Sequence, residues 1–456
     1  MQPITIAREL FGTDGIRGVA GEPPLDARTA HALGVALGTW ARRLPAIAGT
    51  EPEVLIGMDT RESGSWLAEQ VAGGLLRVGV GARFAGVITT PGVAYLTRSG
   101  RFIAGVMISA SHNPYYDNGL KVISHSGYKL PDEVEAELEQ LIAEWLASGE
   151  EAYRLPLEVD PSLDNVYAEY LAGTVAGKFP LRVVVDCANG AATQVAPYLF
   201  PRLGVEVDWL AVSPDGRNIN LDCGSLHLGN LQRRVTEIGA DLGIAFDGDA
   251  DRALFVSGSG KVVDGDAVLF LAGSSLKRAG RLPGDLVVAT VMSNLGLQKA
   301  FESEGIVMLR TPVGDKYVLE EMLKRGAVLG GEQSGHVIFS EYATTGDGLL
   351  TALRVLEIVR DSGRTLDSLS DDIKPFPQKL VNVKIKQKRP LTELPAVQAE
   401  IQAAEVEFAG TGRIVVRFSG TEPLARVMIE AESNEAVERW TSRIADAIRL
   451  ELGSVN

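Results

Sequence analysis

Apolar residues fall along this chain in a rhythm of short continuous runs alternating with segments in which they recur every three to four positions. Short runs bounded by turn residues read as buried strands, and the longer period reads as amphipathic helix. In the first third the pattern predicts strands at 54–58, 80–88 and 102–108 and helices at 25–40, 65–78 and 92–98. Strands and helices alternating at this spacing specify a mostly parallel sheet covered by helices. An acidic helix at 132–147 follows, and 148–165, with Pro156 and Pro161, reads as a connection to a new unit.

The rhythm then restarts. Strands are expected at 182–185, 205–212 and 241–246, with a helix after Gly190. From about Lys261 a third unit carries helices at 265–279 and 295–304 and strands at 286–290 and 306–309, followed by a short apolar run at 327–329. Pro375-Phe376-Pro377 marks a linker, and the tail changes character, with β-like runs at 380–385, 413–418 and 426–431 and helices near 395–404 and 434–451. The expected architecture is four domains: 1–155, 156–258 and 259–372 as α/β domains with mixed, mostly parallel sheets, and 373–456 as a smaller α+β domain.

Length agrees with that division, because 456 residues exceed what one core organises. A net charge of −15 argues against nucleic acid or an anionic membrane as the main partner. Isolated cations in glycine-rich loops therefore become informative. Cys187 and Cys223, the only cysteines, lie in apolar or Gly-rich contexts and read as reduced thiols. With neither a signal-peptide pattern at the start nor an apolar run of about 18 residues, the expectation is a soluble cytoplasmic protein.

Four loops carry candidate chemistry. The run 102–108 ends abruptly in Ser109-Ala110-Ser111-His112-Asn113-Pro114, which sets a serine hydroxyl at a strand's carboxyl end, where α/β proteins bind ligands. Lys121 follows after Asn118-Gly119, read as a turn that folds the ammonium back toward the serine. A hydroxyl beside an ammonium suits phosphoryl chemistry, since the lysine can neutralise phosphate charge or exchange a proton. Asp247, Asp249 and Asp251 end another apolar strand; at ~5 Å and an effective dielectric of ~20 each like pair costs about 3 kcal/mol. A hard divalent cation relieves that repulsion, and Mg²⁺ suits a site of few carboxylates completed by a phosphate oxygen. Glu332, Ser334 and His336 alternate after Gly331, and in an extended conformation they would project to one face able to grip sugar hydroxyls. Arg417, Ser419, Gly420 and Thr421, with Arg426 close behind, have the composition of an anion nest. Near the N-terminus, Phe11-Gly12-Thr13-Asp14-Gly15-Ile16-Arg17-Gly18 is a glycine-punctuated loop with one cation, Arg17.

In their order, these loops resemble the four active-site loops of the α-D-phosphohexomutases. The opening loop, Asn218-Ile219-Asn220 with Cys223-Gly224-Ser225, and Gln333 resemble the branch acting on glucosamine phosphates; phosphomannomutases and phosphoglucomutases share its machinery. The resemblance implies four domains around a central cleft, and an isomerase converting glucosamine 6-phosphate to glucosamine 1-phosphate. By resemblance, Ser111 is the serine phosphorylated in the resting enzyme, and Asp247, Asp249 and Asp251 with a phosphoserine oxygen bind one Mg²⁺ per subunit. Lys121 and His336 match candidates for proton transfer, with Arg17 and Arg252 near the transferring group. Glu332, Ser334 and His336 match sugar contacts, and Arg417, Ser419, Gly420, Thr421 and Arg426 match the clamp on the phosphate that does not react. A hexose or hexosamine 1,6-bisphosphate is the implied intermediate and activator. The implied partner is a small phosphosugar, with no nucleic acid and no membrane, and a homodimer is among the assemblies the resemblance allows.

Overall fold

The structure is a computed structural model and describes residues 10–12, 14–44, 52–418 and 423–453. They form two compact units. One contains the described residues up to Val291 together with Ile306–Ser370; the other contains Met292–Gly305 and the described residues from Asp371 onward.

The first unit holds three sheets. The first comprises β1 (Phe11–Gly12), β2 (Gly15–Val19), β3 (Glu53–Met58), β4 (Gly81–Val87), β5 (Phe102–Ile108) and β6 (Asp117–Ser124), ordered β1-β2-β6-β5-β3-β4. Its helices are α1 (Ala27–Ala41), α2 (Gly64–Arg77), α3 (Thr90–Ser99) and α4 (Asp132–Ala147). Local chemistry sets the helix starts: the Asp26 carboxylate accepts from Thr29 N at 2.8 Å, and the Thr89 hydroxyl accepts from Gly92 N at 3.0 Å. One apolar cluster joins Leu33, Leu37, Leu67, Val71, Val54, Ile56, Val106 and Ile108, which glues α1 and α2 to the sheet.

After α5 (Ser162–Gly173), the second sheet is built from β7 (Arg182–Asp186), α6 (Ala192–Arg202), β8 (Glu206–Leu210), α7 (Gly229–Ile238), β9 (Leu242–Phe246), β10 (Ala253–Ser257) and β11 (Val262–Val263), with strand order β11-β10-β9-β7-β8. The third follows α8 (Gly265–Arg278) and uses β12 (Leu286–Thr290), β13 (Val307–Thr311), β14 (Leu329–Gly331) and β15 (Val337–Phe339), ordered β13-β12-β14-β15. Between β12 and β13, α9 (Leu295–Ser303) belongs instead to the second unit; α10 (Asp315–Arg325), α11 (Gly348–Ser362) and α12 (Leu366–Ser370) complete the first.

The second unit is a three-stranded antiparallel sheet, β16 (Gln378–Lys384), β18 (Leu424–Ala431) and β17 (Gly412–Phe418) in that order, with α13 (Pro395–Phe408) and α14 (Asn434–Leu452). The segment carrying α9 is tied in here by Asn294, whose Nδ2 donates to Phe376 O at 3.1 Å, and by Arg413, which donates to Ser293 O at 2.9 Å.

The three α/β sheets are mixed, as expected; among the described residues parallel and antiparallel strand pairs are equally numerous, and the parallel pairs register more residues. The extra antiparallel pairs come from return strands. β5 runs back into β6, β9 into β10 and β14 into β15, so each chemistry-bearing loop of this unit joins two antiparallel neighbours rather than a strand and a helix. Asn118-Gly119 is accordingly not a turn. Both residues lie within β6, and Lys121 pairs with Met107 across the ladder. Among the described residues no helix is long and apolar enough to cross a membrane, and both cysteines are free and buried.

Candidate active site

β5 is buried at all seven positions and delivers the chain to Ser111, whose φ of +52° lies in the left-handed region. The bend turns the hydroxyl toward the second sheet, where Ser111 Oγ donates to Asp247 Oδ2 at 2.6 Å. His112 Nδ1 lies 3.3 Å from the same hydroxyl. Burial, followed by the charges of Arg252 and Arg17, pulls the His112 ring down to about 4, so it is neutral near neutral pH. Close approach of the two loops requires glycine at 248, because a Cβ there would sit 2.4 Å from Ser111 O. Asn220 Nδ2 donates to that carbonyl at 2.9 Å.

The aspartate loop also turns on a left-handed residue, Ala250 at φ +54°. Asp247, Asp249 and Asp251 are buried, and one ligand oxygen from each lies within 4.8 Å of the others. Oδ1 of Asp249 and Oδ1 of Asp251 are buried with no hydrogen-bond partner. Buried carboxylate oxygens are costly to leave unsatisfied, so these orphans fit a cation that would complete them. The opposite oxygen of Asp249 is well supplied: Lys121 Nζ donates to Oδ2 at 2.8 Å and Thr90 Oγ at 2.6 Å, with the start of α3 bringing Thr90 N to Asp249 O at 3.0 Å. Burial and the charges of Asp251 and Asp249 push Asp247 well up, whereas His336, Lys121 and Arg252 hold Asp251 down against its burial. Burial would lower Lys121, but Asp14 and Asp249 outweigh it and keep the amine charged.

Ser111, His112 and Asp251 line a cavity of about 420 Å³ together with Arg17, Arg252, Glu332, His336, Asp14 and Asp315, whereas Lys121, Asp247 and Asp249 lie outside its lining. That volume lies within the range of small-molecule sites. Arg252 reaches Asp251 Oδ1 at 3.8 Å, and Arg17 is ion-paired to Asp14. The 332–336 segment is not extended, the conformation in which its three side chains would share one face, but a tight turn between β14 and β15, closed by Glu332 N donating to His336 O at 2.9 Å and Gly335 N to Glu332 O at 3.0 Å. The turn sends Glu332 and His336 into the cavity, whereas Ser334 is absent from its lining and its Oγ is buried without a partner. Gly335 allows this turn, at φ +94°. His336 Nδ1 faces Asp251 Oδ2 at 3.5 Å. Burial lowers this ring while Asp251 and Asp315 draw it up, to about 9. The amide of Gly346 nevertheless donates to Nε2 at 3.0 Å, and an N–H cannot face another N–H, so the bond keeps a lone pair on Nε2 and the proton on Nδ1.

In the second unit Arg417 and Arg426 stand directly opposite each other on β17 and β18. Like charges in that position repel, and burial followed by Arg426 lowers the Arg417 guanidinium from its usual value. An anion would relieve the pair. Ser419, Gly420 and Thr421 lie outside the described residues.

Residues 8–148, 163–260 and 264–376 match the phosphoglucomutase/phosphomannomutase alpha/beta/alpha domains I, II and III, and 380–447 match the C-terminal domain. The chain is 59% identical over 449 residues to the phosphoglucosamine mutase of Solibacter usitatus (strain Ellin6076), covering 98% of this chain and 100% of that one. It is 53% identical to the phosphoglucosamine mutase of Koribacter versatilis (strain Ellin345), covering 98% of each. A crystal structure of a phosphoglucomutase/phosphomannomutase family protein from Burkholderia thailandensis superposes with a TM-score of 0.77 at 26% identity, covering 96% of this chain and 97% of that one. The chain belongs to the α-D-phosphohexomutase superfamily.

As a phosphohexomutase it is an isomerase of the phosphomutase type. Its site also contains residues that sequence reasoning did not assign. Lys129 pairs with Asp14 Oδ1 at 2.7 Å and Asp315 Oδ2 at 2.6 Å, and Lys121 with Asp14 Oδ2 at 3.0 Å, so Asp14 bridges two lysines. Asp14 lay inside a highlighted motif. Lys129, Asp315 and Thr90 carry no local signal, since their partners are brought in only by the fold of this phosphohexomutase.

Proposed function

We propose that the protein interconverts glucosamine 6-phosphate and glucosamine 1-phosphate, a step that supplies precursors for UDP-N-acetylglucosamine, and that Ser111 carries the phosphoryl group. The near-full-length likeness to phosphoglucosamine mutases supports the substrate. The observation that carries the mechanism is the 2.6 Å contact of Ser111 Oγ with Asp247 beside two orphaned carboxylate oxygens. In the resting enzyme Ser111 is a phosphoserine. The free hydroxyl of the sugar phosphate attacks it; the bond from phosphorus to Oγ breaks, a bond to the sugar oxygen forms, and a proton is exchanged through Lys121 or His336, so that the departing Ser111 Oγ gains the proton that the sugar hydroxyl loses. The product is a 1,6-bisphosphate, which turns over in the cleft before Ser111 takes back the other phosphoryl group. Asp247, Asp249 and Asp251 would hold one Mg²⁺, which when bound neutralises phosphate charge during transfer. Arg17 and Arg252 steady the transferring group, and Glu332 and His336 meet the sugar. Arg417 and Arg426, with Ser419, Gly420 and Thr421, grip the phosphate that does not react. The reading is of a cytoplasmic enzyme whose partner is a small phosphosugar.

Intact mass of the purified protein after a glucose 1,6-bisphosphate primer should exceed the mass of the unmodified chain by one phosphoryl group that maps to Ser111. A substrate panel of glucosamine, glucose and mannose phosphates should give the highest kcat/KM for glucosamine. An unmodified Ser111 in fully active enzyme would sink the covalent route, and a higher kcat/KM on mannose or glucose phosphate would reassign the sugar.

A further inference from the structure

We propose that Arg61 is a positioning residue for the transfer, locking the Ser111 loop into its bent conformation from behind; this rests on Ser111 being the phosphoryl carrier. Arg61 follows β3 in Asp59-Thr60-Arg61, and its side chain is fully buried, so it does not reach the cavity. All five of its N–H donors are used. Nε donates to Asp59 Oδ2 at 2.9 Å, Nη1 to Pro114 O and to Asp117 O (2.9 Å), and Nη2 to Ser111 O at 3.0 Å and Asn113 O at 2.8 Å. Four carbonyls of the loop 111–117 thus converge on one planar cation.

The same network holds the other side of the serine. Ser109 Oγ donates to Asp59 Oδ2 at 2.7 Å and accepts from Ser111 N at 2.9 Å. Both backbone groups of Ser111 are thereby fixed, the amide through Ser109 and Asp59, the carbonyl through Arg61. A non-glycine residue in the left-handed region persists only when its surroundings over-determine it, and here they do. The angle decides function, because it aims Oγ at Asp247. A guanidinium supplies five donors in a rigid fork, whereas an ammonium has three and no fork.

The test uses the full-length phosphoenzyme, reacted with excess sugar phosphate in a single turnover and followed as the rate constant for transfer per phosphorylated chain. Arg61→Lys keeps the charge but loses at least two carbonyl contacts. Each is worth a factor of about ten, so the rate constant should fall roughly a hundredfold. KM for the sugar phosphate should change by less than about threefold, since Arg61 touches no substrate. Should Arg61→Lys fail to fold, Ser109→Ala removes the tether on the Ser111 amide together with one donor to Asp59, leaves the Arg61 contacts in place, and should lower the rate constant of the folded protein about tenfold. A wild-type rate constant in a folded Arg61→Lys or in Ser109→Ala would overturn the proposal. So would a loss of amplitude at unchanged rate constant, which signals fewer folded molecules rather than a misaimed serine. Ser111→Ala run in parallel separates the premise: full turnover there would defeat the phosphoserine reading itself.

Discussion

The serine loop and the aspartate loop share one frame and are held by opposite means. Each leaves a fully buried strand, bends at a non-glycine residue in the left-handed region, and returns along an antiparallel neighbour. The serine loop is anchored through saturation: Arg61, Ser109 and Asn220 meet its backbone groups, and Asp59 holds Arg61 and Ser109 in place. The aspartate loop is left in deficit, with two buried carboxylate oxygens lacking any donor. Saturation fixes a geometry, whereas a deficit of positive charge among three carboxylates holds affinity for a cation. The nucleophile's loop is thus built to stay still, and its partner is built to receive something.

The harshest challenge to this contrast is removal of the hydroxyl where the loops touch. Ser111→Ala should lower kcat by about 10⁴-fold or more while the thermal unfolding midpoint stays close to wild type, because the loop's anchors are main-chain contacts. Activity near wild type would mean that the contact with Asp247 is incidental. Stripping divalent cation with a chelator should come next, with activity down by about 10³-fold and restored by Mg²⁺. Saturating Mg²⁺, at about 100 times its Kd, should add roughly 2.7 kcal/mol of stability, seen as a raised unfolding midpoint. Absence of that rise would remove the deficit from the aspartate side. Third, Gly346→Ala should cut kcat about ten- to a hundredfold, since its Cβ would lie 2.5 Å from the His336 ring that faces Asp251. Unaltered kinetics would show that the ring's placement is immaterial.

Much of this arrangement is legible in the sequence. Strand 102–108 agrees to the residue, and 286–290 likewise, because continuous apolar runs between turn residues have few alternative readings. The acidic triplet announces itself through repulsion that any folded environment must answer. Return strands are the systematic omission. β6 carries Asn118, Gly119 and Lys121, whose polarity masks a strand buried between β2 and β5, and β15 is only three residues long. Omitting β6 turned Asn118-Gly119 into a turn, and omitting β15 hid the tight turn that carries Glu332 to His336. Partnerships across the fold were equally invisible: Lys129 and Asp315 lie 186 residues apart, and nothing local to either names the other.

The mildest perturbation separates the two loops most cleanly. Thr90 Oγ donates to Asp249 Oδ2, the oxygen that Lys121 also holds, and leaves Oδ1 without a hydrogen-bond partner. Thr90→Val keeps the volume and deletes that donor, so the carboxylate loses one of the two groups that orient it. Loss of such an orienting partner typically weakens metal binding by about 10- to 100-fold without touching the reacting atoms. The Mg²⁺ concentration for half-maximal activity should therefore rise about tenfold, while kcat at saturating Mg²⁺ stays within about twofold. Ser109→Ala, on the serine side, should show the reverse: slower transfer at every Mg²⁺ concentration and an unshifted midpoint. If Thr90→Val instead lowered kcat at saturation and left the Mg²⁺ midpoint alone, the aspartate loop would be a rigid scaffold like its neighbour, and the division of labour between them would be lost.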